Sequence, residues 1–202
     1  MSSKPKRTLD PFGAFAYATY VLVGGFLVFG YAWSLRGAVE TQREAACRAL
    51  APEDDRDEQA PAFEVQDLAG NPVTLEDFAG KFVVLNFWAT WCEPCITEWP
   101  QVHRLAERLA DRDDVVVVAM SIDSDRSAIE PFLGRMSLAD TPTVVLWDPQ
   151  QKVHEAFGTQ KIPDTYFVGP DGRLVHTFVN TRKWGTPDAY HCVSKTADRH
   201  LR

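Results

Sequence analysis

The sequence predicts an α/β protein, a layered sheet with flanking helices, preceded by one membrane-spanning helix. Three observations carry this. Residues 82–88 and 115–120 are near-continuous apolar runs, the pattern of strands covered on both faces. The first run leads into a stretch with helical spacing, and two turn signals, Ala69-Gly70-Asn71-Pro72 and Pro170-Asp171-Gly172, mark hairpins. Residues 12–33 contain no charged side chain. Strand–helix–strand followed by hairpin–helix is the order of an α/β layered sheet.

The N-terminal run comes first. As a helix its 22 residues span ~33 Å, enough to cross a hydrocarbon core. Tyr31 and Trp33 are the amphipathic rings expected near a membrane boundary. Lys4, Lys6 and Arg7 precede it, so residues 1–11 carry net +2 and the remaining −9 lies after residue 35. The positive-inside rule then keeps residues 1–11 in the cytoplasm as a basic tail, with 12–35 as the anchor and everything later on the far side. A cleaved signal peptide is the competing reading, but the run is long and no A-x-A-like site follows closely. A buried core helix would need a larger protein around it. Residues 36–60 turn polar, and Glu53-Asp54-Asp55-Arg56-Asp57-Glu58 has no apolar periodicity, so this stretch reads as a solvated linker or frayed helix.

Residues 61–202 hold the globular domain. Phe63 to Leu68 alternates and pairs across the Gly70-Asn71 turn with Val73-Thr74-Leu75. After the central strand at 82–88, apolar spacing at Ile96, Trp99, Val102, Leu105, Ala106 and Leu109 predicts a helix to about Ala110, with Pro100 inside it expected to kink it after the first turns. A second buried strand at 115–120, a helix at 127–136, a strand at 143–146 and a short helix at 153–157 follow. Residues 164–168 and 174–179 flank Pro170-Asp171-Gly172 as a hairpin, and 186–201 is weakly helical. The net charge of −7 argues against nucleic acid as a partner. Four cysteines are too few for a disulfide scaffold at this length.

Chemistry concentrates in Trp91-Cys92-Glu93-Pro94-Cys95, where a strand delivers two cysteines to the first turn of a helix. The helix N-terminus carries partial positive charge and unpaired N–H groups, which favour a thiolate. In such motifs a thiol pKa of about 8.5 falls to roughly 3.5–7.5. Pro94 suits the first turn, where its missing N–H is not needed. Spacing makes Cys92 the better-exposed nucleophile and Cys95 the resolving thiol. A zinc half-site is the alternative for C-x-x-C, but no second C-x-x-C or H-x-x-x-H supplies the other ligands. His103, His154, His176, His191 and His200 are scattered without ligand spacing. Asp123 and Asp125 suggest a cation site less well than a strand-to-helix cap.

Four stretches together resemble one family: Leu85-Asn86-Phe87-Trp88-Ala89-Thr90-Trp91-Cys92-Glu93-Pro94-Cys95, Glu98-Trp99-Pro100, Ile162-Pro163-Asp164-Thr165-Tyr166-Phe167, and Pro170-Asp171-Gly172. Their order and spacing are similar to the TlpA/ResA-like branch of the thioredoxin superfamily, which also borders the AhpC/TSA peroxiredoxins. The resemblance implies a thioredoxin-like fold, a mixed central sheet flanked by helices with an N-terminal β-hairpin extension. It implies a membrane-anchored thiol–disulfide oxidoreductase outside the bacterial inner membrane, reducing protein disulfides, often in apocytochrome c. Beyond the redox-active Cys92–Cys95 disulfide it implies no cofactor. A membrane thiol donor is expected to re-reduce the pair, since no flavin or nicotinamide motif is present.

Individual positions follow from the same resemblance. Pro163 matches the cis-proline facing the active-site disulfide, and the backbone of Ile162 is expected to pair with bound substrate. Trp91 packs beside the cysteines, and Glu93 and Pro94 influence their potential. Glu98 reads from spacing alone as a surface helix glutamate, one turn after Cys95. The resemblance instead makes it a partly buried acid that tunes the sulfurs. Asn86 supports this, because relatives of plain thioredoxin type hold an aspartate there, and an amide exchanges no proton. Lys161 departs from the family pattern and places a cation near the groove. Cys47 and Cys192 are outside the motif and leave three options: pairing together, a dimer through Cys47, or free thiols. Arg182-Lys183-Trp184 resembles a family feature to which the sequence assigns no role.

Other functions remain open on the same residues. A disulfide oxidase or isomerase would use the same two cysteines, with direction set by reduction potential. A thiol peroxidase needs P-x-x-x-T-x-x-C, and this chain has Leu85 and Ala89 at the proline and threonine positions. A copper-delivery module uses C-x-x-x-C with a histidine, one residue wider than here.

Overall fold

A computed structural model of the chain describes residues 11–55 and 57–201. The basic cluster Lys4-Pro5-Lys6-Arg7, assigned to a cytoplasmic tail, and Arg56 of the charge run lie outside the described residues. The chain divides into two units after Gln42.

The first unit is the greater part of helix α1 (Pro11–Leu50). Within it Phe15–Leu35 is long and apolar enough to cross a membrane, by length and composition. Among the described residues of this unit, Tyr20, Phe26 and Trp33 are 83%, 77% and 68% exposed.

The second unit begins within the last turns of α1, which continues past the apolar run to Leu50. Its end carries two stop signals: Ala51 turns to φ 47 with its N–H on the Arg48 carbonyl (3.1 Å), and Pro52 follows. The stretch 53–60 carries more structure than its charges suggest. Strand β1 (Asp54–Asp55) pairs antiparallel with β8 (Leu174–Val179), and Ala60 N–H reaches the Gly172 carbonyl at 2.9 Å. Backbone pairing is indifferent to side-chain charge, and the open edge of β8 supplies unpaired groups.

The remaining strands are β2 (Glu64–Asp67), β3 (Pro72–Thr74), β4 (Phe82–Trp88), β5 (Val115–Ser121), β6 (Val144–Trp147) and β7 (Asp164–Val168). The helices are α2 (Glu93–Leu109), α3 (Ile129–Arg135), α4 (Lys152–Ala156) and α5 (Pro187–His200). One sheet runs β1-β8-β7-β4-β5-β6-β2-β3. Its centre is parallel, β4 on β5 and β5 on β6, and its other pairs are antiparallel, including the β2–β3 hairpin. This is the mixed, helix-flanked sheet expected of the sequence, and α2 passes through Pro100 without ending.

All seven residues of β4 are buried because helices cover both faces. Val83, Leu85 and Phe87 pack with Phe132 of α3 and with Phe157 just after α4. Phe82 and Val84 pack on the other face with Leu105 of α2, Val193 of α5 and Leu50 of α1. Asn86 is the one polar residue of β4, in register with Thr165 of β7. Cys47 of α1 and Cys192 of α5 form a disulfide, which decides among the three options their positions allowed.

That crosslink closes a loop of 145 residues, so it removes much of the freedom of the unfolded chain. The Cys47→Ala/Cys192→Ala variant is expected to lose about 2–5 kcal/mol, read as a lower urea midpoint under non-reducing conditions. An unchanged midpoint would show that the packing of Leu50 alone seats this turn.

Candidate active site

Strand β4 ends at Trp88 and the chain leaves the sheet over its carboxyl edge. Asp123, just beyond β5, fixes that exit. Thr90 donates to its carboxylate from the backbone N–H (3.0 Å) and from Oγ1 (2.7 Å). Ser121 Oγ donates to the same carboxylate, and Trp147 Nε1 to the Asp123 carbonyl. Asp123 therefore ties a loop. Asp125 caps the next helical turn by accepting from Ser127, and no metal-binding cluster occurs among the described residues.

The exit loop leads directly into α2, whose N-cap is Cys92 in extended conformation. Cys92 Sγ accepts the Cys95 N–H at 3.2 Å, the place a capping oxygen usually takes. Pro94 occupies the first turn, and Cys92 and Cys95 are joined as a disulfide. Cys92 is 6% exposed and Cys95 1%, so Cys92 is the sulfur that another molecule reaches. Its Sγ stands 3.6 Å from the carbonyl oxygen of Ile162. The Ile162–Pro163 peptide is cis, and Pro163 itself is buried.

A groove of about 490 Å³ opens over this disulfide, lined by Trp91, Cys92, Pro94, Ile122, His154, Lys161 and Ile162 among others. Trp91 is 64% exposed, a large apolar ring held in solvent beside the sulfur. Glu93 is exposed, and its carbonyl accepts from Thr97 Oγ1 at 3.2 Å. A hollow of similar size between β2 and α4 has no cysteine in its lining.

Glu98 lies behind the cysteines on α2 and is only 3% exposed. A buried carboxylate needs donors, and strand β4 and the segment after β8 supply three of them. Arg182 N–H and Trp184 Nε1 donate to Oε1 at 2.7 and 3.0 Å, and Asn86 Nδ2 donates to Oε2 at 3.2 Å. Asn86 Nδ2 also donates to Thr165 Oγ1 at 3.0 Å, which holds the amide in place. Desolvation nevertheless outweighs these bonds and the Arg182 charge, and the carboxyl is pushed up to about 7. Asp164, directly after Pro163, is also 3% exposed. Burial raises it to about 6, against the stabilising Asn180 N–H at 3.1 Å and the Thr159 hydroxyl.

The structure thus gathers Trp91, Cys92, Pro94, Lys161 and Ile162 around one groove and puts Cys95 and Glu98 behind it. His154, which the sequence left among scattered histidines, lines the groove as well. Of the partners of Glu98, Asn86 was linked to it from the sequence, whereas Arg182 and Trp184 were not, and their only signal was Arg182-Lys183-Trp184, a recognised pattern without an assigned role.

Known proteins resemble this chain in sequence and fold. A model of the AhpC/TSA family matches residues 57–177. Thiol-disulfide oxidoreductase ResA of Bacillus thuringiensis (strain Al Hakam) is 32% identical over 121 residues, 60% of this chain and 68% of that one. ResA of Bacillus subtilis (strain 168) is 31% identical over 122 residues, 60% of this chain and 66% of that one. The solution structure of a thiol:disulfide interchange protein from Bacteroides sp. superposes with a TM-score of 0.60 at 26% identity, covering 71% of this chain and 90% of that chain.

The two raised carboxyls set a sign for stability against pH. Above pH 4.5 the unfolded chain releases the Glu98 proton, whereas the folded protein holds it to about 7. The folded state then binds more protons, so stability falls as pH rises through that window and levels off above it. The Glu98 share is about 3 kcal/mol. Glu98→Gln is expected to flatten the fall, leaving the smaller slope of Asp164, when urea midpoints are measured from pH 4 to 8. Parallel profiles for the two proteins would show that Glu98 titrates as an ordinary surface acid.

Proposed function

The chain belongs to the AhpC/TSA family and is a ResA-like thiol–disulfide oxidoreductase of thioredoxin fold, and on that premise we propose that it reduces protein disulfides outside the bacterial cytoplasmic membrane, apocytochrome c before haem attachment foremost among them. Residues 12–35 are the single anchor, 1–11 stay in the cytoplasm, 36–60 lead away from the bilayer, and 61–202 carry the reaction. The span Phe15–Leu35 and the basic residues before it support this orientation.

The observation that carries the proposal is the buried acid behind the sulfur pair. Glu98 is 3% exposed and its proton affinity lies near neutrality, where a group can both accept and return a proton. In the reduced enzyme the Cys95 N–H that now faces Cys92 Sγ stays with the thiolate, and the α2 N-terminus favours its charge.

Reduction then proceeds in two exchanges. Substrate backbone lies along Ile162 in the groove, with Trp91 beside the reacting sulfur. Cys92 thiolate attacks one sulfur of the substrate disulfide; a Cys92–substrate bond forms, the substrate S–S bond breaks, and the departing thiolate takes a proton. Cys95 loses its proton to the Glu98 carboxylate and attacks Cys92 Sγ. The Cys92–Cys95 bond forms, the Cys92–substrate bond breaks, the second substrate sulfur leaves as a thiolate that takes a proton, and two electrons have passed to the substrate. A membrane thiol donor reverses the process to restore the dithiol. Pro163 supports the groove floor, and Glu93 and Pro94 tune the potential of the pair.

Cys95→Ala tests the assignment. It is expected to strand substrates on Cys92 as mixed disulfides, identified by mass after membrane extraction, with apocytochromes among them. A trap that accumulates nothing, or one that forms on Cys95 in the Cys92→Ala protein instead, would reverse or sink the roles. A potential near that of thioredoxin, about −270 mV, fits a reductase, whereas one near −120 mV would make the enzyme an oxidase.

A further inference from the structure

Glu98 is held by a segment that has a second attachment. Arg182 gives its backbone N–H to Glu98 Oε1 and spends its guanidinium elsewhere. Nε donates to the Leu50 carbonyl at 2.7 Å and Nη2 to the Ala51 carbonyl at 3.2 Å, both at the C-terminal end of α1. Nη1 donates to the Val179 carbonyl at 2.7 Å, at the end of β8. The last carbonyls of a helix have no partners within it, and an arginine meets that need. Two residues on, Trp184 is 1% exposed and gives its indole N–H to the same Glu98 oxygen. Its ring packs against Phe178 and Phe167 in the apolar cluster that also holds Leu50 and Cys192. Cys192 is bonded to Cys47, one turn before Leu50. Disulfide, apolar packing and guanidinium therefore fasten one turn of α1 to the segment that donates twice to Glu98.

We propose that Arg182 and Trp184 are positioning residues for the Glu98 carboxylate, and that Arg182 transmits to it the seating of the α1 terminal turn locked by Cys47–Cys192. The proposal rests on Glu98 exchanging protons with the cysteine pair. Both donors favour the ionised carboxylate, so weakening either raises its proton affinity. The charged group acting on Glu98 is Arg182 after β8, and Cys95 on its own helix and Cys92 at that helix's N-cap are the titratable groups of the reduced protein. In the oxidised protein the cysteines do not titrate, which leaves the carboxyls to be followed directly.

The test uses the full chain in detergent micelles, oxidised, with glutamate labelled at the carboxyl carbon with ¹³C. Glu98→Gln identifies the Glu98 signal, and its midpoint is followed from pH 4 to 9. Trp184→Phe and Arg182→Ala are each expected to raise that midpoint by about one pH unit. Cys47→Ala/Cys192→Ala keeps the Arg182 charge and both donors, and is expected to move the midpoint the same way by unseating the turn. Arg182 is half-buried whereas Trp184 is 1% exposed, so Arg182→Ala is the variant that removes less packing. Unmoved midpoints in Arg182→Ala and Trp184→Phe overturn the positioning roles; an unmoved midpoint in the double cysteine variant alone overturns the transmission. Glu98→Gln with wild-type exchange rates would instead sink the underlying proton-transfer reading, whatever the midpoints do.

Discussion

A carboxyl group shut away from water is the constraint on which this domain depends. An isolated ionised carboxylate in a protein interior costs far more than folding can supply, so it is neutral or surrounded by donors. Glu98 is poised between these solutions. Three donors from β4 and from the segment after β8 hold it, yet burial still outweighs them and leaves the proton affinity near neutrality. Fewer donors would leave the acid permanently protonated; more exposure would leave it permanently ionised. Neither could pass a proton back and forth with a neighbouring thiol at neutral pH.

The fold exists around that balance in a literal sense. Trp88 and Ala89 are fully buried at the sheet edge, so Asp123 can fix the exit loop and Cys92 can cap α2. Helix α2 shares its residues between two apolar clusters, Cys95 and Trp99 on one side and Val102, Leu105 and Leu109 on the other. Glu98 falls where α2 crosses Asn86. The chain after β8 then closes over the acid before α5 begins at Pro187. The Cys92–Cys95 disulfide stands beside the groove, and Glu98 is buried behind it.

Much of this was legible because it is local. Apolar runs at 82–88 and 115–120 could only be covered strands, and the Gly70 and Gly172 turns have φ of 89 and 76, which only glycine adopts freely. The cysteine pair announced itself by spacing. What was not legible is what joins distant positions. Glu98 meets partners 84 and 86 residues away, and neither an arginine backbone N–H nor an indole N–H leaves a periodic trace. Cys47 and Cys192, separated by 145 residues, looked equally able to pair, to dimerise or to stay free. The acidic stretch after Pro52 looked like a bare tether because its side chains are charged. Its backbone, which sequence pattern does not report, still found the edge of β8.

Asn86 completes the logic, because it explains why one acid is enough. An aspartate at this position would set two carboxyls about as far apart as the amide and Glu98 are now, 3.2 Å. Like charges that close cannot both ionise, and the pair would titrate in two widely separated steps belonging to neither residue. The amide avoids this by donating from Nδ2 to both Glu98 and Thr165, the latter across the β4–β7 register. Its dipole favours the ionised carboxylate, where a second acid would oppose it. The polar interruption of an otherwise apolar central strand thus gives Glu98 an amide partner where a second carboxyl would compete for the proton, which is what the proposed proton exchange requires.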